Sequence, residues 1–391
     1  MYKIQTLNKI DPEGLKIFPL DQYEIASEFS SPDAVIVRSQ AMHDMELPSS
    51  LLSIARAGAG VNNIPIEKCT KQGIVVFNTP GANAHAVKEI VIAGMLMASR
   101  DIAGSIEWAK TLKGKAGEVP GLVEKGKSNF GGTEIRGKTL AVIGLGAIGV
   151  LVANAAQALG MTVLGYDPYI SVNYAWKLSR NVKKAEGLDS LFASADFITI
   201  HIPQLPETKG FINADKIKMM KDGVKILNFA RGGLVNNADM LAALQSGKVG
   251  KYVTDFPEDE LIDVKNIIAI PHLGASTEES ETNCAIMAVN QTIDYLENGN
   301  IVNSVNFPAT EMERAGGSTR IVVANKNVPK MVSQISALLA HEGLNIANML
   351  NRNKDEIAYN IIDIDGKVPA NVKDLIKAID GVIMVRILPP K

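Results

Sequence analysis

Cysteine is nearly absent: Cys69 and Cys284 are the only two in 391 residues. Two thiols so far apart exclude a disulfide framework or a thiolate metal site, and they favour a reducing compartment. Excess charge of one sign is also missing. Lysine and arginine number 40 against 42 aspartates and glutamates, for a net charge of −2. No bulk basicity therefore draws the chain to nucleic acid or to an anionic membrane surface. No apolar run reaches the roughly 18 residues of a membrane-spanning helix. The opening residues, MYKIQTLNKIDPEGL, carry no apolar signal core, so a cytoplasmic location is expected. The five histidines show no metal-ligand spacing, and no metal is expected.

What is present is a globular composition, 46% hydrophobic and 21% charged, over a length that exceeds one core and predicts two or three domains. AVIVRS (34–39), LSIARAG (52–58) and GIVVFN (73–78) read as strands ending in polar or glycine-rich turns. AHAVKEIVIAGMLMASRD, from Ala84, has helical spacing and is a candidate hinge between domains. Residues 113–138 are rich in glycine and lysine and read as an irregular loop. TLAVIGLGAIG then opens a second strand–helix series through TVLGYD, DFITIHIP, VKILNFAR, KYVTDF and NIIAIPH. Near-continuous apolar strands alternating with helices predict parallel sheets covered on both faces. A helix over 282–300 ends at Gly299, and residues 311–319 read as a linker. From Arg320 the order becomes βαββαβ, a ferredoxin-like unit. The predicted fold is thus α/β, two doubly wound parallel-sheet lobes with a small C-terminal domain.

The sharpest motif is Gly144-Leu145-Gly146-Ala147-Ile148-Gly149, directly after a strand and at the start of a helix. The first glycine permits the tight turn and the second lets backbone approach a pyrophosphate. The third allows close helix–strand packing, while the helix N-terminus offers free N–H donors. Asp167 ends the next strand. A carboxylate there accepts ribose hydroxyls and repels a 2′-phosphate, which predicts NAD rather than NADP.

The stretch ILNFARGGLV (226–235) sets Arg231, always charged, at the tip of a core strand. Ligands of open parallel sheets sit at the carboxyl ends of strands. Glu260 and His272 follow two later strands of the same series. Oxidising a 2-hydroxy acid needs a cation for the carboxylate, which a guanidinium binds bidentately. It also needs a base for the hydroxyl proton, and imidazole titrates in the right range. A carboxylate beside the imidazole would set its tautomer. Glu258 in the same acidic run is the alternative to Glu260.

Together with VRSQ, GAGVNNI, NTPGANAHAVKE, HIPQLPETKGFI, NFARGGLV, TDFPEDE and PHLGAST, these segments resemble the D-isomer-specific 2-hydroxyacid dehydrogenases over nearly the whole chain. The resemblance implies a flavodoxin-like substrate lobe (1–95 and 276–312), a Rossmann NAD lobe (96–275) and an ACT-like domain (318–391). It implies Arg231, Glu260 and His272 as the catalytic set. Gly144, Gly146, Ala147, Ile148, Gly149, Asp167, His201, Pro203, Thr208, Asn228, Ala230, Asp255 and Gly274 would line the NAD site. Thr208 would contact cofactor phosphate and Asp255 the nicotinamide amide.

Arg38, Ser39, Ala59, Gly60 and Asn83 would bind substrate, with Lys127 reaching into the site of a partner subunit in a homodimer or homotetramer. The implied reaction is NAD-dependent oxidation of 3-phosphoglycerate to 3-phosphohydroxypyruvate. Glycerate or 2-hydroxyglutarate is the alternative substrate, and a non-catalytic NAD sensor the alternative class. In the ACT-like domain Asn325, Asn327 and Asn345 match positions that contact an L-serine effector at a subunit interface. Lys330, where a glycine is usual after proline, departs from that pattern, and a purely structural dimerisation module is the competing expectation.

Overall fold

The computed structural model describes residues 1–314 and 316–390. The chain divides into two compact units, Met1–Asn83 with Glu278–Lys391, and Ala84–Thr277. The first unit contains a parallel sheet of β1 (Tyr2–Leu7), β2 (Tyr23–Ala26), β3 (Ala34–Val37), β4 (Ser53–Arg56) and β5 (Val75–Phe77), in the order β2-β1-β3-β4-β5. This is the flavodoxin-like order. All four residues of β3 are buried, because helices cover both faces of such a sheet. β1 and β2 escape the sequence pattern because most of their residues are only half-buried, leaving no strong apolar run.

The second unit is a seven-stranded parallel sheet. Its strands are β6 (Thr139–Ile143), β7 (Thr162–Tyr166), β8 (Lys183–Lys184), β9 (Phe197–Ile200), β10 (Val224–Asn228), β11 (Val249–Thr254) and β12 (Ile267–Ala269). The order β12-β11-β10-β9-β6-β7-β8 reverses between β6 and β9, the switch point at which a doubly wound sheet opens a crevice.

Two expectations change here. The helix Ala84–Ser99, read as a hinge, belongs wholly to the second unit, so that unit starts near residue 84 and not 96. Val87, Val91, Met95 and Ala98 on one face share a core with Leu140, Val142, Leu227 and Phe229, and burying that stripe fixes the helix to its sheet. Residues 113–138 are not one irregular loop: Val119–Gly126 is helical, flanked by single 3-10 turns. Pro120 is tolerated in its first turn. Gly126 lets Trp108 lie against the backbone, and the Trp108 ring packs on Phe130 at 5.3 Å.

The remaining strands of the first unit form an antiparallel sheet, β14-β15-β13-β16, from β13 (Thr319–Lys326), β14 (Ile346–Lys354), β15 (Ile357–Ile364) and β16 (Val382–Leu388). With helices Met331–His341 and Val372–Lys377 this is the expected βαββαβ order. The expected linker, 311–319, includes Ala315, which lies outside the described residues.

This sheet is fastened to the C-terminal end of the long helix Glu278–Asn298, where carbonyls lack helical partners. Arg386 donates to the carbonyls of Tyr295 and Leu296 at 3.0 and 2.6 Å. Arg314 donates to Glu297 at 3.0 Å, Arg320 to Asn298 at 2.9 Å, and the Tyr359 hydroxyl to Gly299 at 2.7 Å. Guanidinium groups at a helix C-terminus also meet the negative end of its dipole.

Candidate active site

The glycine loop after β6 shows what each glycine does. Gly144 has φ +91°, and a Cβ there would lie 2.6 Å from the His201 carbonyl oxygen. A Cβ on Gly149 would lie 1.9 Å from the Gly144 oxygen, so helix and loop could not approach. Gly146 precedes the helix Ala147–Ala158, and a Cβ there would meet nothing within 4 Å. That open ground at a helix N-terminus fits a diphosphate. Asp167, just past β7, accepts from the Leu145 amide through Oδ2 and from the Tyr169 amide through Oδ1, both at 2.8 Å. The carboxylate thereby ties the second strand to the glycine loop while lone pairs remain for a diol.

Beyond β9, His201 shares a 3.0 Å hydrogen bond between Nε2 and the Thr199 hydroxyl. Burial pushes its pKa down to about 3, so the ring is neutral. Pro203 begins the following turn. The Thr208 hydroxyl donates to the Pro203 carbonyl at 2.7 Å and accepts from the Leu205 amide at 2.7 Å. Thr208 therefore builds this turn, and its hydroxyl is already engaged.

At the end of β10 the buried Asn228 folds the chain back. Its amide donates to the Arg231 carbonyl at 2.9 Å and its oxygen accepts from the Ala230 amide at 3.2 Å. That turn presents Arg231 at the surface, with Nη1 on the Ala230 carbonyl at 2.7 Å. Asp255, past β11, is fully buried; Oδ2 accepts from the Gly274 amide at 3.0 Å and Oδ1 has no partner. Burial raises its carboxyl pKa, opposed by the Gly274 amide and then by the charges of His272 and Arg231. An unsatisfied buried acceptor fits an amide donor such as a carboxamide. Arg231 and His272, from two other strand ends, thus both bear on the Asp255 carboxyl.

The two glutamates behave otherwise. His272 packs its ring on Phe256 at 4.8 Å, and among the described residues neither glutamate hydrogen-bonds it. Glu258 accepts from Asn237 Nδ2 at 3.0 Å and lies beside Gly232. Glu260 is exposed on the 3-10 turn Asp259–Leu261.

In the first unit Arg38 follows β3 and contacts Glu281 at 2.6 Å. Arg56, the last residue of β4, donates from Nε to the Arg38 carbonyl at 3.1 Å, and its guanidinium lies over Gly58. Ser39 and Gln40 donate their amides to Asn8 Oδ1 at 3.0 and 2.6 Å. The Ala59 carbonyl, beside Gly60, accepts from Asn78 at 2.7 Å. Asn83 closes the segment before the second unit.

Residues 92–274 match the family described as D-isomer specific 2-hydroxyacid dehydrogenase, NAD binding domain. Over that stretch the chain matches the NAD-binding domain of the D-isomer-specific 2-hydroxyacid dehydrogenases. The chain is similar to D-3-phosphoglycerate dehydrogenase of Archaeoglobus fulgidus, 36% identical over 302 residues, covering 75% of this chain and 55% of that protein. It is also similar to the protein of that name from Synechocystis, 35% identical over 327 residues, covering 79% and 56%. The chain thus spans little more than half the length of these curated relatives. Among solved structures it resembles the NAD+-bound 3-phosphoglycerate dehydrogenase of Entamoeba histolytica, with a TM-score of 0.59 and 26% identity over 78% of this chain and 98% of that one.

Arg56 is a further cation at the carboxyl end of a parallel strand. The rule that found Arg231, a cation at the carboxyl end of a parallel strand, applies equally to LSIARAG. Lys127 pairs with Glu124 at 2.5 Å on an exposed helical turn. Of the regulatory candidates, Asn325 and Asn327 line a cavity of 490 Å³ with Lys330 and Ser333, but Asn345 does not. Asn345 bonds Asp365 at 2.5 Å beyond the helix Met331–His341. Asn325 is buried with its oxygen taken by Asn360 at 2.7 Å and its amide by the Lys326 carbonyl at 2.6 Å.

Proposed function

We propose that the chain catalyses NAD-dependent oxidation of 3-phosphoglycerate to 3-phosphohydroxypyruvate. The observation that supports this reading is that Arg231 and His272, at strand ends of the second unit, both act on the buried Asp255; in the first unit, taken by itself, Arg38 and Arg56 stand at the ends of β3 and β4. The names of the relatives point the same way.

Each residue then has a defined task. The glycine loop with Asp167, His201 and Asp255 holds NAD, which supplies the hydride acceptor. Two acceptor oxygens on Asp167 suit an unsubstituted ribose and oppose a 2′-phosphate. Arg231 clamps the substrate carboxylate. As the hydrogen on C2 leaves as hydride, the hydroxyl proton passes to the His272 imidazole and the C2–O bond becomes a carbonyl. Glu260 or Glu258 balances the imidazolium once it forms. Arg38 and Arg56, with Ser39, Ala59, Gly60 and Asn83, take the phosphate.

Further proposals concern assembly and control. The helix Ile102–Lys110 buries none of its residues and exposes Ile102 and Ile106, which supports a homo-oligomeric contact. A partner would also be the recipient of Lys127. In the antiparallel sheet, an L-serine site would need a second copy, because Asn345 stands apart from the cavity at Asn327. No helix among the described residues is long and apolar enough to cross a membrane, and two buried free thiols accord with a cytoplasmic location. The test is NADH appearance with 3-phosphoglycerate, D-glycerate and 2-hydroxyglutarate, each with and without L-serine. Turnover limited to an unphosphorylated acid would overturn the substrate. No turnover with intact NAD binding would favour a sensor.

A further inference from the structure

We infer that Glu281 is a specificity-determining residue: it weakens the grip of Arg38 and Arg56 on a dianion and so sets how sharply phosphorylated and unphosphorylated acids are separated. The inference rests on the proposed role of Arg38 as an anion ligand.

The geometry is local to the first unit. Arg38 leaves the end of β3 with Nη2 2.6 Å from Glu281 Oε1, and the two side chains are 38% and 43% exposed. Arg56 stands beside it, held by its own bond to the Arg38 carbonyl. Glu281 lies in the first turn of the helix Glu278–Asn298, where the helix dipole favours the ionised carboxylate. The cluster therefore sets the Arg38 cation directly against the Glu281 anion, with Arg56 bonded to the Arg38 main-chain carbonyl.

Two effects of Glu281 oppose each other. As an anchor it orients the Arg38 guanidinium, but a half-exposed ion pair orients weakly, by less than about fivefold in any equilibrium. As a neighbouring anion it repels whatever anion Arg38 receives, and that repulsion is twice as large for a dianion as for a monoanion. Guanidinium carries five N–H donors, and Glu281 engages a single terminal nitrogen. Donors remain for a ligand, so the carboxylate does not block the site and acts on it through charge. Repulsion outweighs orientation, and it falls on the phosphorylated acid alone.

The experiment compares the full-length chain with Glu281→Gln and Glu281→Asp, measuring NADH formation from 3-phosphoglycerate and from D-glycerate, and inorganic phosphate binding by calorimetry. The expected result for Glu281→Gln is a rise of about five- to twentyfold in the ratio of kcat/KM for the phosphorylated over the unphosphorylated acid. The rise comes from a lower KM for 3-phosphoglycerate, with kcat within about twofold, and phosphate binds more tightly by a similar factor. Glu281→Asp, which keeps the charge, leaves both quantities near their starting values. An unchanged or falling ratio in Glu281→Gln, with phosphate affinity unmoved, overturns the inference and leaves Glu281 an anchor for Arg38. If neither acid is oxidised by the unmodified chain, the proposed function fails, while the phosphate affinities still decide the role of Glu281.

Discussion

Arg320 and Asp363 meet with Nε–Oδ1 at 2.7 Å and Nη2–Oδ2 at 2.9 Å, and neither side chain is exposed. The bidentate pair sits on adjacent strands β13 and β15, and Arg320 spends its other donors on the carbonyls of Asn298, Met312 and Glu313. A buried guanidinium cannot shed its charge, so it depends on this partner. Asp363→Asn is expected to destabilise the first unit by about 3 kcal/mol or more, seen as a lower unfolding midpoint in calorimetry. A midpoint within 1 °C of the starting protein would contradict the argument. Breaking the exposed Lys110–Glu107 pair should change little.

Asp167 carries the cofactor prediction. Its oxygens accept from both the Leu145 and Tyr169 amides, so Asp167→Ala removes the charge that opposes a 2′-phosphate and also loosens the glycine loop. NAD should be used less well, and the gap in kcat/KM between NAD and NADP should narrow by about tenfold or more. Steady-state kinetics with both cofactors checks this. An unchanged preference would sink the assignment.

Arg231→Ala should lower kcat/KM by about a hundredfold or more while NAD affinity, read by fluorescence titration, is kept. The carboxylate that serves His272 is decided separately by Glu258→Gln and Glu260→Gln. Glu258 is engaged by Asn237 and Glu260 is not tied to any side chain among the described residues, so only Glu260→Gln should shift the pH profile of kcat/KM. A shift in Glu258→Gln alone would reverse the assignment.

His201 gives a pH prediction. Its folded pKa, pushed down to about 3 by burial, lies below the ordinary 6.5 of an unfolded chain. The unfolded state therefore binds a proton that the folded state refuses. The stability this represents is fully present above pH 6.5 and is lost as the pH falls from there toward 3, by up to roughly 1.4 kcal/mol per pH unit. His201→Gln should flatten this part of the stability curve in urea titrations between pH 7 and 4. A curve with the same slope would show that other groups carry the acid loss.

Lys330 sits at φ +72°, in the left-handed region, at the start of the helix Met331–His341. That conformation explains why glycine suits the position after Pro329. Lys330→Gly is expected to gain about 1 kcal/mol by relieving the strain, and to remove a long side chain from the 490 Å³ cavity. Inhibition by L-serine should then appear or strengthen. A more stable variant that remains indifferent to serine would favour a structural module.

The sequence by itself determined the parts that depend on local chemistry. GLGAIG after LAVI specified a diphosphate turn because φ +91° at Gly144 favours glycine and a Cβ on Gly149 would lie 1.9 Å from the Gly144 carbonyl oxygen. Buried strands such as AVIV and FITI were legible as unbroken apolar runs, and Gly299 and Gly343 ended helices at φ +71°. The place of Arg231 just past a core strand was legible because the apolar run of β10 stops there.

Tertiary structure decided whatever required two distant segments to meet. Thr208 turned out to be spent on its own turn, and Asn325 on Asn360, because which partner claims a hydrogen-bonding group is settled by three-dimensional neighbours. Residues 119–126 are helical, and their last residue, Gly126, lies against Trp108. Glu281 lies 243 positions from Arg38 in the chain, and no pattern of spacing joins them. Electrostatics acts through space, so the charge that tunes the anion site could be found only once the chain had folded.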